Sequence, residues 1–264
     1  NAKIVFGGVH ATVMPEEMLG KEFIDYVFRG EGEESFYRFV KGDDIKTIPG
    51  LSWKENGKFY HNEDAVLVHD LDTLPVPAYD KLPVSKYVPT LGSYKRLPAI
   101  SMLATRGCPG KCTYCFGSFL GGRVRMHSVN YLVNIIKMLQ EKYGIKQIMF
   151  YDDTFTTYRN KVKEFCQRII DEKIDISWVC FSRVDTIDEE TLLLMKKAGC
   201  HQIMYGIESG SEQILKNINK RVNRDKAIAA VKMTKKIGIE CRCTFMLGNQ
   251  GETEETIMQT IKFA

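Results

Sequence analysis

The sequence has 264 residues, of which 44% are hydrophobic and 27% are charged, a balance that permits one or two globular domains with a buried core. Its 37 basic and 33 acidic residues leave a net charge of +4, which is too small to favour nucleic acid or an anionic membrane as a partner. No apolar run approaches the roughly 18 to 20 residues of a membrane-spanning helix, and the first residues lack the layout of a signal peptide. We therefore expect a cytoplasmic protein.

Residues 1–41 have the pattern of a small α/β segment. A strand, I-V-F, leads into the glycine pair Gly7 and Gly8, and a second strand, D-Y-V-F, precedes a helical stretch that ends near residue 41. The first residue is Asn1 rather than Met, and the last residues of the chain have a helical pattern. We therefore expect this chain to be a piece of a longer protein.

Residues 42–96 are predicted to connect two domains. A β-hairpin comes first, because Asn56-Gly57 between two short strands favours a tight turn. The stretch that follows is rich in proline, which indicates an extended linker.

From residue 97 to residue 264, short apolar strands alternate with helical patterns in five β/α units. Strands that are apolar on both faces are typical of a parallel sheet covered by helices, and the pattern fits a barrel and a doubly wound sheet equally well. In both architectures the loops after the carboxyl ends of the strands carry the chemistry. The sequence therefore predicts one rim that holds the polar residues following each strand.

The loop R-G-C-P-G-K-C-T-Y-C, residues 106–115, places Cys108, Cys112 and Cys115 after the first of these strands. A disulfide would leave one of the three thiols unpaired, and a closed zinc site needs a fourth ligand. An iron-sulfur cluster held by three cysteines keeps one iron open for a substrate or a cofactor. A non-catalytic zinc or iron-sulfur binding module remains an alternative at this point.

The spacing C-x-x-x-C-x-aromatic-C at the end of the first strand of a β/α series closely resembles the radical S-adenosylmethionine (radical SAM) superfamily, and the resemblance covers residues 97–264. It implies an α/β fold with a truncated, TIM-like partial barrel, and a 4Fe-4S cluster held by Cys108, Cys112 and Cys115. It also implies that S-adenosylmethionine binds the open iron and is cleaved reductively to methionine and a 5′-deoxyadenosyl radical. A reductant such as flavodoxin or ferredoxin and a small-molecule or biosynthetic-intermediate substrate would be the partners.

The same resemblance assigns contacts with S-adenosylmethionine to residues on the rim. They are Tyr114 and Phe116 on the adenine side, Asp152 and Asp153 toward the amino group, Arg183 toward the carboxylate, and Glu208 and Ser209 toward the ribose. Structural roles remain open for several of them, because an aspartate or a serine can cap a helix and the arginine can form a salt bridge.

Residues 1–41 resemble the carboxy-terminal portion of a Rossmann-like cobalamin-binding domain, which precedes the radical core in one subgroup. Gly7 and Gly8 match the glycine pair that lets the nucleotide tail of cobalamin approach the backbone. This resemblance implies cobalamin in the longer protein, and a methyltransferase or a related radical enzyme. An RNA methylthiotransferase is the alternative enzyme class, and the absence of cysteine before Cys108 argues against it.

Five further cysteines follow the loop. Cys166, Cys180 and Cys200 fall in apolar segments, where they are expected to act as small buried hydrophobic residues. Cys241 and Cys243 share one face of a predicted strand, and they would form a catalytic or auxiliary-cluster site if that face lines the barrel lumen. The basic stretch 216–224 is expected to be a solvated helix end.

Overall fold

The computed structural model describes residues 2–118 and 122–264, and the chain divides into two compact units, Asn1–His69 and Asp70–Ala264. The first unit contains β1 (Val5–Phe6), α1 (Val9–Val13), α2 (Pro15–Leu19), β2 (Tyr26–Phe28), α3 (Glu33–Lys41), β3 (Leu51–Glu55) and β4 (Lys58–His61). Its four strands form one sheet in chain order, in which β1 and β2 are parallel and the later neighbours are antiparallel.

β3 and β4 form a hairpin that extends this sheet. Both turn residues have positive φ, 51° at Asn56 and 79° at Gly57, as a tight two-residue turn requires. The sequence predicts this hairpin as part of the connector, whereas in the structure β3 pairs with β2. The physical reason is burial, because Leu51 and Trp53 pack with Phe28 in one apolar cluster.

The second unit alternates strands and helices along its whole length. It contains β5 (Ala99–Met102), β6 (Thr105–Arg106), β7 (Arg125–Met126), α4 (Val129–Tyr143), β8 (Gln147–Phe150), α5 (Arg159–Asp171), β9 (Ser177–Ser182), α6 (Glu189–Lys197), β10 (Cys200–Glu208), α7 (Glu212–Asn217), α8 (Arg224–Lys236), β11 (Glu240–Phe245) and α9 (Glu254–Phe263). Among the described residues, no helix combines the length and the apolar composition needed to cross a membrane.

Five of these strands form a parallel sheet in the order β5-β8-β9-β10-β11. The spatial order follows the chain order, without the reversal that a doubly wound sheet has at its switch point. The predicted α/β fold is confirmed, and the strand order is that of a partial β/α barrel. The carboxyl ends of the five strands therefore lie along one edge.

The main core lies between this sheet and its helices. Trp178 on β9 is fully buried, and the rings of Phe150, Phe155 and Phe165 surround it at centroid distances of 5.7, 5.4 and 5.9 Å. Burial of each large apolar side chain contributes about 1.5 to 3 kcal/mol. The cluster joins β8, β9 and α5, and so holds the loops that follow β8 and β9 in place.

Residues 91–96 cover the amino-terminal end of the sheet through a buried amide. The side chain of Gln147, the first residue of β8, accepts from the backbone amide of Lys95 at 2.8 Å and donates to the Ser93 carbonyl at 3.0 Å. The same amide oxygen lies 3.1 Å from His201 Nε2. A buried amide needs such hydrogen-bond partners. Gln147 therefore holds residues 91–96, the last part of the connector, against the sheet.

Candidate active site

The cysteine loop projects from the carboxyl edge of the sheet on a two-residue stem. β6 and β7 pair antiparallel at its base, with Thr105 opposite Met126 and Arg106 opposite Arg125. Gly107 follows the stem with a φ of 95°, and a side chain there would overlap the carbonyl oxygen of Arg123. Glycine is therefore required at this position by both conformation and space.

Each of the three thiols lies close to a glycine of the loop. The amide of Gly110 donates to Cys108 Sγ at 3.3 Å, and a side chain at Gly110 would lie 3.3 Å from Cys108 Sγ and 3.8 Å from Cys112 Sγ. A side chain at Gly117 would lie 3.5 Å from Cys115 Sγ. Burial raises the pKa of the Cys108 thiol, while the Gly110 amide and the Arg183 charge act in the opposite direction.

This donor set fits the 4Fe-4S cluster that the resemblance implies. In such a cluster each cysteine binds a different iron, and amides that donate to the sulfur atoms tune its potential. The loop offers three thiols, an amide directed at one sulfur, and glycines where side chains would crowd the thiols. Within residues 2–118 and 122–264, no three His, Cys, Asp or Glu side chains are grouped as they would be around a single metal ion.

Arg183 lies beside this loop, at the carboxyl end of β9. Its guanidinium donates to both carboxylate oxygens of Asp185 at 2.9 Å, and Nη2 also donates to the Lys220 carbonyl at 3.0 Å. Nη1 lies 3.2 Å from the position that a Cβ atom would occupy if Gly110 were replaced by alanine. Burial acts to lower the pKa of Arg183, but the Asp185 carboxylate outweighs it and the pKa is raised. A fixed positive charge therefore faces the thiols.

The adjacent carboxylates Asp152 and Asp153 have different environments. Asp152 is buried, and its Oδ1 accepts from the backbone amides of Ala104, at 3.0 Å, and Thr105. Burial raises the pKa of Asp152 to about 6. Asp153 is exposed, and its Oδ2 lies 4.0 Å from the position of a side chain at Gly117. Asp152 thus supports the loop stem, and Asp153 faces the cysteine loop.

Glu208 ends β10 beside the loop, with a positive φ of 73°. Its Oε1 accepts from Lys220 Nζ at 3.0 Å, and the charge of its carboxylate acts on the nearby Tyr114 phenol. Burial, followed by the Glu208 charge, raises the pKa of Tyr114. The predicted rim residues Tyr114, Arg183 and Glu208 are therefore brought together around the cysteines.

Ser209 and Phe116 complete the predicted set. Ser209 is buried, and its hydroxyl lies 3.0 Å from Thr260 Oγ1 and accepts from the Ser211 amide at 3.1 Å. The structure thus gives Ser209 partners in α9 and at the start of α7. Phe116 is half-buried and begins a short 3-10 turn, Phe116–Ser118, directly after Cys115.

Lys220 is a residue of this site that the sequence reasoning missed. The stretch 216–224 was expected to be solvated, but the Lys220 side chain is only 8% exposed. Its partner Glu208 lies 12 residues away on another element, so no local pattern indicates the pair. A buried lysine without a paired charge would be costly, which is why its position depends on Glu208.

The face of Cys241 and Cys243 differs from the one considered in the sequence analysis. Both residues pack against the main core on the helix side of the sheet, and Cys241 Sγ lies 3.8 Å from the Val231 carbonyl of α8. Burial raises the pKa of the Cys241 thiol to about 11. The hypothesis that they line the barrel lumen is wrong, because side chains two residues apart on this strand point toward α8.

Gly7 and Gly8 lie in the first unit, directly after β1. Gly8 has a φ of 92°, and no atom of residues 2–118 or 122–264 lies within 4 Å of a side chain placed there, whereas a side chain at Gly7 would lie 3.7 Å from the Phe28 carbonyl oxygen. Gly8 also precedes the first turn of α1. The backbone there requires glycine, and it leaves open space beside the turn.

Known proteins are similar to this chain along almost all of its length. The chain is 40% identical over 270 residues to an uncharacterized methyltransferase of Pyrococcus horikoshii, covering 100% of this chain and 58% of that protein. It is 29% identical over 271 residues to the anaerobic magnesium-protoporphyrin IX monomethyl ester cyclase of Rubrivivax gelatinosus, covering 98% and 48%. The chain thus spans about half the length of these relatives.

The fold is similar to that of a solved enzyme. OxsB, described as a cobalamin-dependent S-adenosylmethionine radical enzyme with aqua-cobalamin bound, superposes with a TM-score of 0.82 at 20% identity, over 98% of this chain and 38% of that chain. The family model of the radical SAM superfamily matches residues 102–264, which include the cysteine loop and the strands behind it. The chain belongs to the radical SAM superfamily.

Proposed function

We propose that this chain carries the cluster and cofactor site at which S-adenosylmethionine is cleaved reductively. Membership in the superfamily implies a 4Fe-4S cluster and S-adenosylmethionine. The observation that carries the proposal is the three-thiol loop, held by the β6–β7 stem at the carboxyl edge of the sheet. When bound, the cluster supplies the electron that breaks a carbon–sulfur bond of the sulfonium and releases methionine and a 5′-deoxyadenosyl radical.

The described residues would hold the two cofactors in distinct ways. Cys108, Cys112 and Cys115 would each bind one iron, so that the fourth iron remains open to the amino and carboxylate groups of S-adenosylmethionine. Asp153 is the exposed carboxylate beside the loop and suits a cationic amine, whereas Asp152 already accepts from two backbone amides. Asp153 is therefore our preferred contact of the pair.

The remaining contacts follow the rim. Arg183 brings a positive charge toward the cofactor carboxylate, although Asp185 already engages two of its nitrogens. Glu208 offers carboxylate oxygens for the ribose hydroxyls, and Tyr114 and Phe116 would flank the adenine. Ser209 supports this end of β10 through Thr260 and is a weaker candidate for the ribose.

We further propose that the longer protein uses cobalamin and transfers a methyl group. The support is the open glycine turn at Gly8, the superposition on a cobalamin-dependent enzyme, and the methyltransferase name of the relative that is 40% identical. Residues 1–41 would be the carboxy-terminal portion of the cobalamin-binding domain. The partners would be a small-molecule substrate and a reductant such as flavodoxin or ferredoxin.

Reductive cleavage is tested with anaerobically reconstituted protein, dithionite and S-adenosylmethionine. The wild type is expected to form 5′-deoxyadenosine, and Cys112→Ala is expected to lose it together with most of its bound iron. Cys243→Ala, which removes a half-buried thiol on the helix side, is the matched control and should retain both. A fully cluster-loaded wild type that produces no 5′-deoxyadenosine contradicts the proposal.

Cobalamin use is tested with the full-length protein. We expect it to retain cobalamin after gel filtration, and to pass a labelled methyl group from S-adenosylmethionine to that cobalamin. Full-length protein that binds no cobalamin, and instead transfers a methylthio group to RNA, would support the methylthiotransferase alternative.

A further inference from the structure

A buried ion pair lies beside the cysteine loop. Lys220 Nζ and Glu208 Oε1 are 3.0 Å apart, and their side chains are only 8% and 13% exposed. Charges removed from water in this way are stable only when they are paired and hydrogen-bonded, and removal of one partner is strongly destabilising because the other is left buried and unpaired. The buried position of the Glu208 side chain therefore depends on its pairing with Lys220.

The backbone at Glu208 also needs support. Its φ of 73° is unusual for a residue with a side chain, and such a conformation persists only where the surrounding structure supports it. The pairing of β10 with β11 shifts register between Gly206 and Glu208, so the strand ladder is irregular at this point. The Glu208 carbonyl still accepts from the Met246 amide at 2.8 Å, which leaves the side chain to be oriented by its own partners.

The segment 218–221, which contains Lys220, is bonded directly to the cysteine loop. The Thr113 amide donates to the Ile218 carbonyl at 3.0 Å, and Asn219 Nδ2 donates to the Lys111 carbonyl at 2.8 Å. One short segment therefore contacts the loop between Cys108 and Cys115 and also supplies the cation for Glu208.

Tyr114 connects the carboxylate to the loop electrostatically. Burial and, after it, the Glu208 charge raise the pKa of the Tyr114 phenol, and Tyr114 stands between Cys112 and Cys115 in the sequence. A change in the orientation of Glu208 would therefore alter the surroundings of Tyr114. Under the proposed function, the adenosine part of the cofactor lies on this face of the loop.

We propose that Lys220 is a positioning residue, which fixes Glu208 against the cysteine loop in the orientation that receives the ribose of S-adenosylmethionine. The inference rests on the proposed function of the site. Lys220 itself does not contact the cofactor, because its ammonium is engaged with Glu208 and its carbonyl with Arg183.

A double-mutant cycle tests whether Lys220 acts through Glu208. The variants are Lys220→Met, Glu208→Gln and the two combined, with Lys216→Met as the matched control. Lys216 lies on α7 near Lys220 but is exposed, so its substitution removes the same charge without breaking a buried pair. The readout is the dissociation constant of S-adenosylmethionine for the oxidised, cluster-loaded protein, measured by equilibrium dialysis without reductant so that no turnover occurs.

Lys220→Met and Glu208→Gln are each expected to weaken binding by about tenfold, while the combined variant stays within about twofold of Glu208→Gln, because residues that act as one unit are not additive. Lys216→Met should bind as the wild type does. The inference is overturned if Lys220→Met binds S-adenosylmethionine with wild-type affinity. It is also overturned if adding Lys220→Met to Glu208→Gln weakens binding by a further factor as large as Lys220→Met causes in the wild type. If Lys220→Met alone does not fold, the comparison of Glu208→Gln with the combined variant, which carries no unpaired charge, decides the matter.

The same experiment separates the inference from the proposed function. A cluster-loaded wild type that fails to bind S-adenosylmethionine contradicts the proposed function, and the inference falls with it. A wild type that binds the cofactor, beside a Lys220→Met variant that binds it equally well, overturns the inference alone.

Discussion

Asp152 and Asp153 show how two identical side chains acquire different properties from their positions. Asp152 turns inward and accepts from the amides of Ala104 and Thr105, while its Oδ2 is buried and has no hydrogen-bond partner among the residues that the structure describes. Asp153 lies at the surface beside Gly117. A buried carboxylate with one unsatisfied oxygen favours its protonated form, so Asp152 links the stability of the loop stem to pH.

This linkage predicts a pH-dependent free energy of unfolding. The pKa of Asp152 is about 6 in the folded protein against 3.8 for an unperturbed group, so between these values the folded state binds more protons than the unfolded state. Its contribution is therefore most favourable below pH 4 and is lost as the pH rises to 6, by about 2 to 3 kcal/mol. Asp152→Asn should lack this loss.

The measurement is chemical denaturation of wild type and variant at several pH values between 4.5 and 7. Asp153→Asn, at the neighbouring exposed carboxylate, is the control and should keep the wild-type pH dependence. Identical pH dependence in the wild type and Asp152→Asn would show that Asp152 is not the responsible group.

At the scale of elements, the junctions between helices and strands depend on a few glycines. α4 is capped at its start by the Ser128 side chain and ends at Gly144, where φ is 64°. α6 is followed by Gly199, where φ is 93° and where a side chain would overlap the Ile176 carbonyl next to β9. Both glycines have a left-handed backbone conformation, but only Gly199 also packs closely against another segment of the chain, at Ile176 before β9.

We therefore expect alanine to have unequal effects at these two ends. Gly144→Ala should lower the free energy of unfolding by about 1 kcal/mol, since only the left-handed conformation is penalised. Gly199→Ala should lower it by more than about 3 kcal/mol, since the backbone before β9 must also move. Thermal and denaturant unfolding of the two variants measure the difference, and equal losses would contradict the steric argument.

At the scale of the whole second unit, the two ends of the sheet carry different kinds of residues. The carboxyl edge holds the cysteine loop and its neighbours, while the amino-terminal end is covered by residues 91–96 through Gln147. Gln147 is fully buried, and its side chain reaches the connector, Ser177 and His201. The buried amide of Gln147 thus lies at the opposite end of the strands from the edge at which the chemistry is proposed.

Gln147→Leu is expected to destabilise the second unit by about 3 to 4 kcal/mol, because it leaves several buried polar groups without partners. Gln140→Leu is the control, since Gln140 makes one bond to the Asp175 carbonyl at a less buried position, and it should cost less than about 1 kcal/mol. Denaturant titration of both variants measures this, and a small effect of Gln147→Leu would show that the connector is held by other contacts.

The sequence by itself determined the features that are local along the chain. The cysteine spacing, the alternation of strands and helices, the Asn56-Gly57 turn and the stop at Gly144 each depend on residues a few positions apart. Hydrophobic periodicity and turn chemistry act at that distance, which is why the α/β class and the cluster loop could be predicted.

Only the tertiary structure decided which partner each polar residue meets. In the folded chain Lys220 pairs with Glu208, and the Ser209 hydroxyl lies beside that of Thr260. Asp152 is buried against the loop stem, whereas Asp153 is exposed. The tertiary structure also chose the strand order of a barrel over that of a doubly wound sheet, and the helix side for Cys241 and Cys243. The physical reason is that these contacts join residues on different elements, so they depend on the path of the chain between them and on which face of each strand is buried.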